Sequence, residues 1–153
     1  MSPEKEAELQ RLCPVFLKDL NGDPMQTCMS WGIACGDGWY EPIKKMCLQL
    51  EVLNKESEEG KIIAAQIKEK FGGLRCYVDV IPMDASNADE LYRKAREIIL
   101  AAENACEETC SVCGCKVKES TSRWTVICKD CKEKQKEWNE GPKDSDPSQC
   151  MGK

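Results

Sequence analysis

Histidine is missing altogether from this chain of 153 residues. Its absence removes the commonest general base and the commonest ligand of catalytic zinc. No phosphate-binding glycine loop and no nucleophile motif stands in its place, so a non-enzymatic role is expected. Long apolar runs are also lacking. No stretch approaches the roughly 20 apolar residues a bilayer crossing needs, so no membrane role is expected. The opening residues Met1-Ser2-Pro3-Glu4-Lys5-Glu6 have neither the basic start nor the apolar core of a secretion signal. The expected location is therefore a cytoplasm.

Cysteine, by contrast, is abundant, at 12 residues. A reducing compartment favours metal binding or burial over disulfides. Burial is the expected fate of Cys13, Cys28, Cys47, Cys76 and Cys106, because free cysteine packs as a small apolar group. The net charge of -5 opposes unspecific attraction to nucleic acid. That charge is uneven: residues 61–81 and 110–140 each carry a net +2, while residues 1–60 carry -5 and 82–109 carry -4. An anion-binding surface is expected on the two basic segments.

Ser2-Pro3-Glu4 reads as a capped helix start with proline at the first helical position. Leu9, Leu12, Phe16, Leu17 and Leu20 follow at helical spacing, and Pro14 predicts a kink or two short pieces. Asn21-Gly22-Asp23-Pro24 closes the element as a turn. Ile43, Met46, Cys47, Leu50 and Leu53 mark a second helix after an irregular, aromatic-rich loop. Lys61–Lys70 and Gly73–Ile81 predict a hairpin around Lys70-Phe71-Gly72-Gly73. Ile63, Ala65 and Ile67 share one face of its first strand, and Leu74, Cys76, Val78 and Val80 one face of its second. Ser86 or Asn87 is expected to cap a third helix with Leu91, Ala95, Ile98, Ile99, Ala102 and Cys106 buried. The fold class is thus α+β: a helix-loop-helix-hairpin-helix domain over 1–108, a small zinc module over 109–140, and a disordered tail over 141–153 that holds Cys150.

The module rests on two CxxC pairs, Cys110 with Cys113 and Cys128 with Cys131. Two intervening residues let both sulfurs of a pair reach one ion, and zinc takes four thiolates tetrahedrally. Fourteen residues part the pairs, enough for a short hairpin whose returning strand would be Trp124-Thr125-Val126-Ile127. A helix-forming stretch follows, giving a treble-clef-like outline. Cys115, and more weakly Cys106, compete for a ligand position. A four-thiolate site is closed, so the zinc is expected to be structural. Lys116, Lys118, Arg123, Lys129, Lys132, Lys134 and Lys136 offer phosphate contacts, or else a solvated face diluted by interspersed carboxylates.

Lys68, Lys70 and Arg75 cluster about the hairpin turn, with Phe71 at its tip. They form either an anion site or a turn whose lysines serve solubility. In the loop Cys35-Gly36-Asp37-Gly38-Trp39-Tyr40, Asp37 is expected to cap the following helix with Trp39 in the core. Alternatively Trp39 and Tyr40 line a pocket with Phe71 and stack on a base.

Cys35-Gly36-Asp37-Gly38-Trp39, Lys68 to Arg75, and the cysteine pairs resemble a family of small, uncharacterised bacteriophage and prophage proteins. Its members look like a CGxGW loop and helix, a KEKFGGLR-type hairpin, a helix and a cysteine-rich finger. The resemblance implies a phage accessory protein acting in the host cytoplasm, a class that includes inhibitors of host defence. The expected partner is a host protein or a nucleotide-like small molecule; the alternative is nucleic acid held by the zinc module.

Overall fold

Proline at the first helical position opens α1 (Pro3–Leu12). The Ser2 hydroxyl does not cap it. Instead the Ser2 N–H donates to Asp37 Oδ1 at 2.7 Å. The helix stops at Leu12 because Cys13 precedes Pro14, whose ring drives its neighbour out of the helical region (φ -129°, ψ 62°). The expected kink is therefore a full stop. Phe16, Leu17 and Leu20 reach the core from turns. Buried Glu51 holds this segment, accepting from the Phe16 N–H at 2.9 Å and the Val15 N–H at 3.4 Å. Those bonds offset the cost of burying its carboxylate.

These coordinates are a computed structural model that describes residues 1–118, 122 and 124–140. Arg123 and the tail 141–153 with Cys150 lie outside the described residues. Short 3-10 turns at Cys28–Trp31 and Asp37–Trp39 lead into α2 (Tyr40–Glu56), which buries Ile43, Met46, Cys47 and Leu50. Near its end Asn54 mimics a neighbouring strand, accepting from Ile62 N at 2.6 Å and donating to Ile62 O at 2.8 Å.

β1 (Lys61–Lys70) and β2 (Gly73–Ile81) form a two-stranded antiparallel sheet. Lys70 pairs with Gly73, leaving Phe71 and Gly72 as a two-residue loop with φ of 52° and 74°. Two successive positive φ values define the type I′ turn that suits the twist of a hairpin. The expected inward face of β1 is corrected by a bulge between Ala64 and Gln66. It shifts the alternation by one, so Ile62 and Ala64 join Ile67 in the main core; Ile63 is buried as expected, and Ala65 is only half-buried. On β2 the expected face stands: Leu74, Cys76 and Val80 are buried and Val78 is half-buried.

α3 (Ala88–Glu107) buries Leu91, Ala95, Ile99, Ala102 and Cys106 and packs against α2 and β2. Asn87 stands at its cap position without capping it. Its amide instead accepts from the Gly60 N–H at 3.1 Å and donates to Ser57 Oγ at 2.9 Å, tying the end of α2 to the start of α3. α4 (Lys129–Glu140) closes the described chain. The class is α+β. No described helix is long and apolar enough to cross a membrane.

Candidate metal centre

Cys110, Cys113, Cys128 and Cys131 converge. Their sulfurs all lie within 4.8 Å of one another, and Cys113 and Cys128 are 3.8 Å apart. A tetrahedral thiolate site with metal–sulfur bonds of about 2.3 Å places its sulfurs about 3.8 Å from each other. The arrangement thus fits one metal ion held by four cysteines. The first pair sits on a tight turn in which Gly114, at φ 76°, lets its N–H donate to the Cys110 carbonyl at 2.9 Å. The second pair opens α4, where Cys131 occupies the first turn. The expected returning strand is corrected: residues 124–127 are irregular, anchored by the Ser111 N–H donating to the Val126 carbonyl at 2.8 Å, with Val126 and Ile127 buried.

Cys110 and Cys113 are poised for charge, whereas burial pushes the Cys131 thiol up. The Cys128 N–H donates to Cys110 Sγ and the Cys131 N–H to Cys128 Sγ, each at 3.4 Å. Burial opposes ionisation of Cys110, but the amides of Cys113, Cys128 and Val112 outweigh it and lower its pKa. The Cys115 amide and thiol bring Cys113 down to about 6. Cys115 stays outside the four-sulfur group and is exposed. Hydrogen bonds to Cys113 and Cys128 hold its proton and push it up to about 12. Cys106 is fully buried, and desolvation raises it to about 12 as well. Burial likewise raises Cys13, Cys35, Cys47 and Cys76, which pack as neutral groups. Cys28, expected to be buried, is exposed.

The loop 35–40 packs directly on this centre. The Gly38 N–H donates to the Ser111 carbonyl at 2.8 Å, and Trp39 Nε1 donates to the Thr109 carbonyl at 2.7 Å. A Cβ on Gly36 would lie 2.1 Å from Ser111 O, and one on Gly38 would lie 2.1 Å from Cys110 O. Both glycines are required because two backbones touch there. Cys110, Val117, Val126, Ile127 and Cys131 accordingly belong to the same apolar core as Trp39 and Ile43.

Six residues were expected to meet a ligand, and the structure divides them. Trp39 is fully buried, so its expected stacking role is corrected to a packing one. Tyr40 is buried beneath Lys5 and Lys44, whose ammonium groups each stand 5.2 Å from its ring centroid, and no face is left for a base. Asp37, expected to cap α2, holds the start of α1 instead and pairs with Lys5 at 3.4 Å. Phe71 is 70% exposed at the hairpin tip, with Lys70 Nζ 5.5 Å from its ring. Lys68 lies 5.7 Å from the Tyr77 ring, and its ladder partner Arg75 turns back to donate to the Leu74 carbonyl at 2.6 Å.

One participant was missed as a ligand contact. Trp124, also 70% exposed, lies 6.1 Å from Phe71 between ring centroids. Gly72 brings the turn there, since its Cβ position is 3.5 Å from the backbone of Trp124 and Thr125. Only the +2 charge of both segments hinted at the meeting. Compared with known proteins, the chain matches no family model, no curated protein and no solved structure.

Proposed function

We propose that this chain is a non-enzymatic binding protein, braced by a structural zinc ion, that engages a host factor or a small anionic, nucleotide-like ligand. This is the part expected of a phage accessory protein that counters host defence in the host cytoplasm. The four-sulfur geometry supports zinc, because an all-thiolate tetrahedron suits that metal and leaves no position for substrate. Removing a single ligand tests the assignment. Protein prepared without chelators carries one zinc per chain; Cys113→Ser loses it and Cys115→Ser keeps it, by elemental analysis.

The observation that carries the binding role is the exposed Phe71–Trp124 pair with Lys70 over one ring. Two uncovered aromatic faces beside an ammonium group offer stacking and charge together, which is what a nucleotide requires. A thermal-shift panel of nucleotides checks it. A ligand at about 100 times its Kd raises Tm by about 5–10 °C, and Phe71→Ala and Lys70→Glu both abolish the rise. A panel with no shift at all removes the small-ligand version and leaves the host factor.

One arrangement favours nucleic acid as a second reading. The two segments of net +2 charge meet where Gly72 lies against Thr125, and α4 adds exposed Lys134 and Lys136. Binding would then weaken steeply with salt and fall on Lys134→Glu/Lys136→Glu. Salt-insensitive binding argues against it.

A further inference from the structure

The two edges of the hairpin are treated differently. On β1 the outward-facing backbone groups have partners. Asn54 takes both groups of Ile62, the Ala64 N–H donates to Phe16 O at 2.9 Å, and Ile67 O and the Glu69 N–H bond to Ala34. Across the ladder these residues face Val80, Val78, Cys76 and Leu74. Residues opposed in this way point their N–H and C=O groups away from each other. Those four residues therefore direct their backbone groups to the far edge of β2. There, among the described residues, only the Leu74 carbonyl has a partner, the Arg75 guanidinium.

A cleft of about 660 Å³ lies beside β2, lined by all of residues 75–79, by Ala65 of β1 where it reaches over the sheet, and opposite by α3. Five consecutive residues of one strand line a cleft only when it follows the strand. The α3 wall presents Tyr92, Ile99 and Leu100, of which Tyr92 and Leu100 are 54% and 47% exposed. Its charges are Arg75, Arg96, Asp79, Glu103 and Glu107. Arg96 is paired with Glu103 at 3.4 Å, while Arg75, Asp79 and Glu107 have no ion partner among the described residues, two carboxylates against one guanidinium. The unsatisfied charge in the cleft is therefore negative.

We infer that this cleft takes an extended peptide of a partner protein, which adds as a third strand to β2 and carries apolar side chains alternating with at least one lysine or arginine. The open N–H and C=O groups supply main-chain bonds. Tyr92 and Leu100 receive apolar side chains, and Asp79 and Glu107 receive the basic one. Residues 75–79 match a segment of about 17 Å at the rise of a strand. The inference does not rest on the Phe71–Trp124 surface and stands if no nucleotide binds there.

The test pans yeast-displayed random dodecapeptides against the zinc-loaded full chain and carries the enriched sequences forward as synthetic peptides. The expected sequences alternate apolar residues around a lysine or arginine. Their binding weakens by about tenfold or more in Leu100→Glu, and also when alternate peptide amides are N-methylated. Bound peptide slows hydrogen exchange at the Cys76 and Val78 amides, while Lys70→Glu and Phe71→Ala leave affinity unchanged. Three outcomes overturn the inference: no enriched peptide, peptides that bind Leu100→Glu undiminished, or a peptide-free dimer in sedimentation whose Cys76 and Val78 amides are already protected because a second copy fills the edge.

Discussion

Phe71 sits where its own chemistry is unwelcome. It adopts φ 52°, a region that costs a bulky L-residue about 1–2 kcal/mol, yet its ring is mostly in water. Its contact with Trp124 returns only part of that, since an exposed aromatic pair is worth about 0.5–1.5 kcal/mol. Phe71→Asn supplies the residue that a type I′ turn prefers before glycine. We expect it to be neutral or stabilising by up to about 1 kcal/mol in urea unfolding while abolishing ligand binding. A clear loss of stability would mean that the ring serves the fold.

At the scale of elements, the loop 35–40 and the Cys110–Gly114 turn act as one unit. In the sequence the glycines of the CGxGW motif belong to an irregular, aromatic-rich loop. Their actual constraint is steric and lies more than seventy residues away in sequence, at Ser111 and Cys110. Gly38→Ala places a methyl group against a backbone carbonyl that cannot swing aside. A cost of about 3 kcal/mol or more is expected by urea unfolding, and Ala34→Gly, outside the contact, serves as the control. Local pattern made much of the molecule legible. The hairpin, its loop, the stripe of α3 and the four sulfurs follow from spacing alone. Three things did not. The bulge at Ala65 flips the face of β1 without any glycine or proline to announce it. Asn87 and Asp37 prefer distant backbone partners over the caps their positions suggested, and the burial of Tyr40 depends on Lys5 arriving from α1 to join Lys44 of its own helix. Each is settled by tertiary contact, which periodicity does not carry.

With the proposed zinc bound at the Cys110–Gly114 turn, the whole molecule would depend on the metal. Thiolate coordination contributes about 10–16 kcal/mol in small zinc peptides at neutral pH, comparable to or above the entire stability of an ordinary domain. Because the Cys110–Gly114 turn contacts Gly36, Gly38 and Trp39, ion removal is not confined to the C-terminal module. A chelator should therefore lower the Tm of the full chain in a single transition and red-shift indole emission. Trp39 is fully buried, whereas Trp31 and Trp124 are already exposed. An unchanged emission spectrum after complete metal removal would show that the loop holds without the ion.

The indole of Trp39 ends on the Thr109 carbonyl, one residue before the first sulfur ligand. That bond ties the largest buried side chain of the core to the first turn of the candidate metal site. If the four sulfurs hold the proposed zinc, chains made in a zinc-starved cell would lack the clamp that closes their interior and would be open to proteases, so the amount of working protein would follow the metal supply.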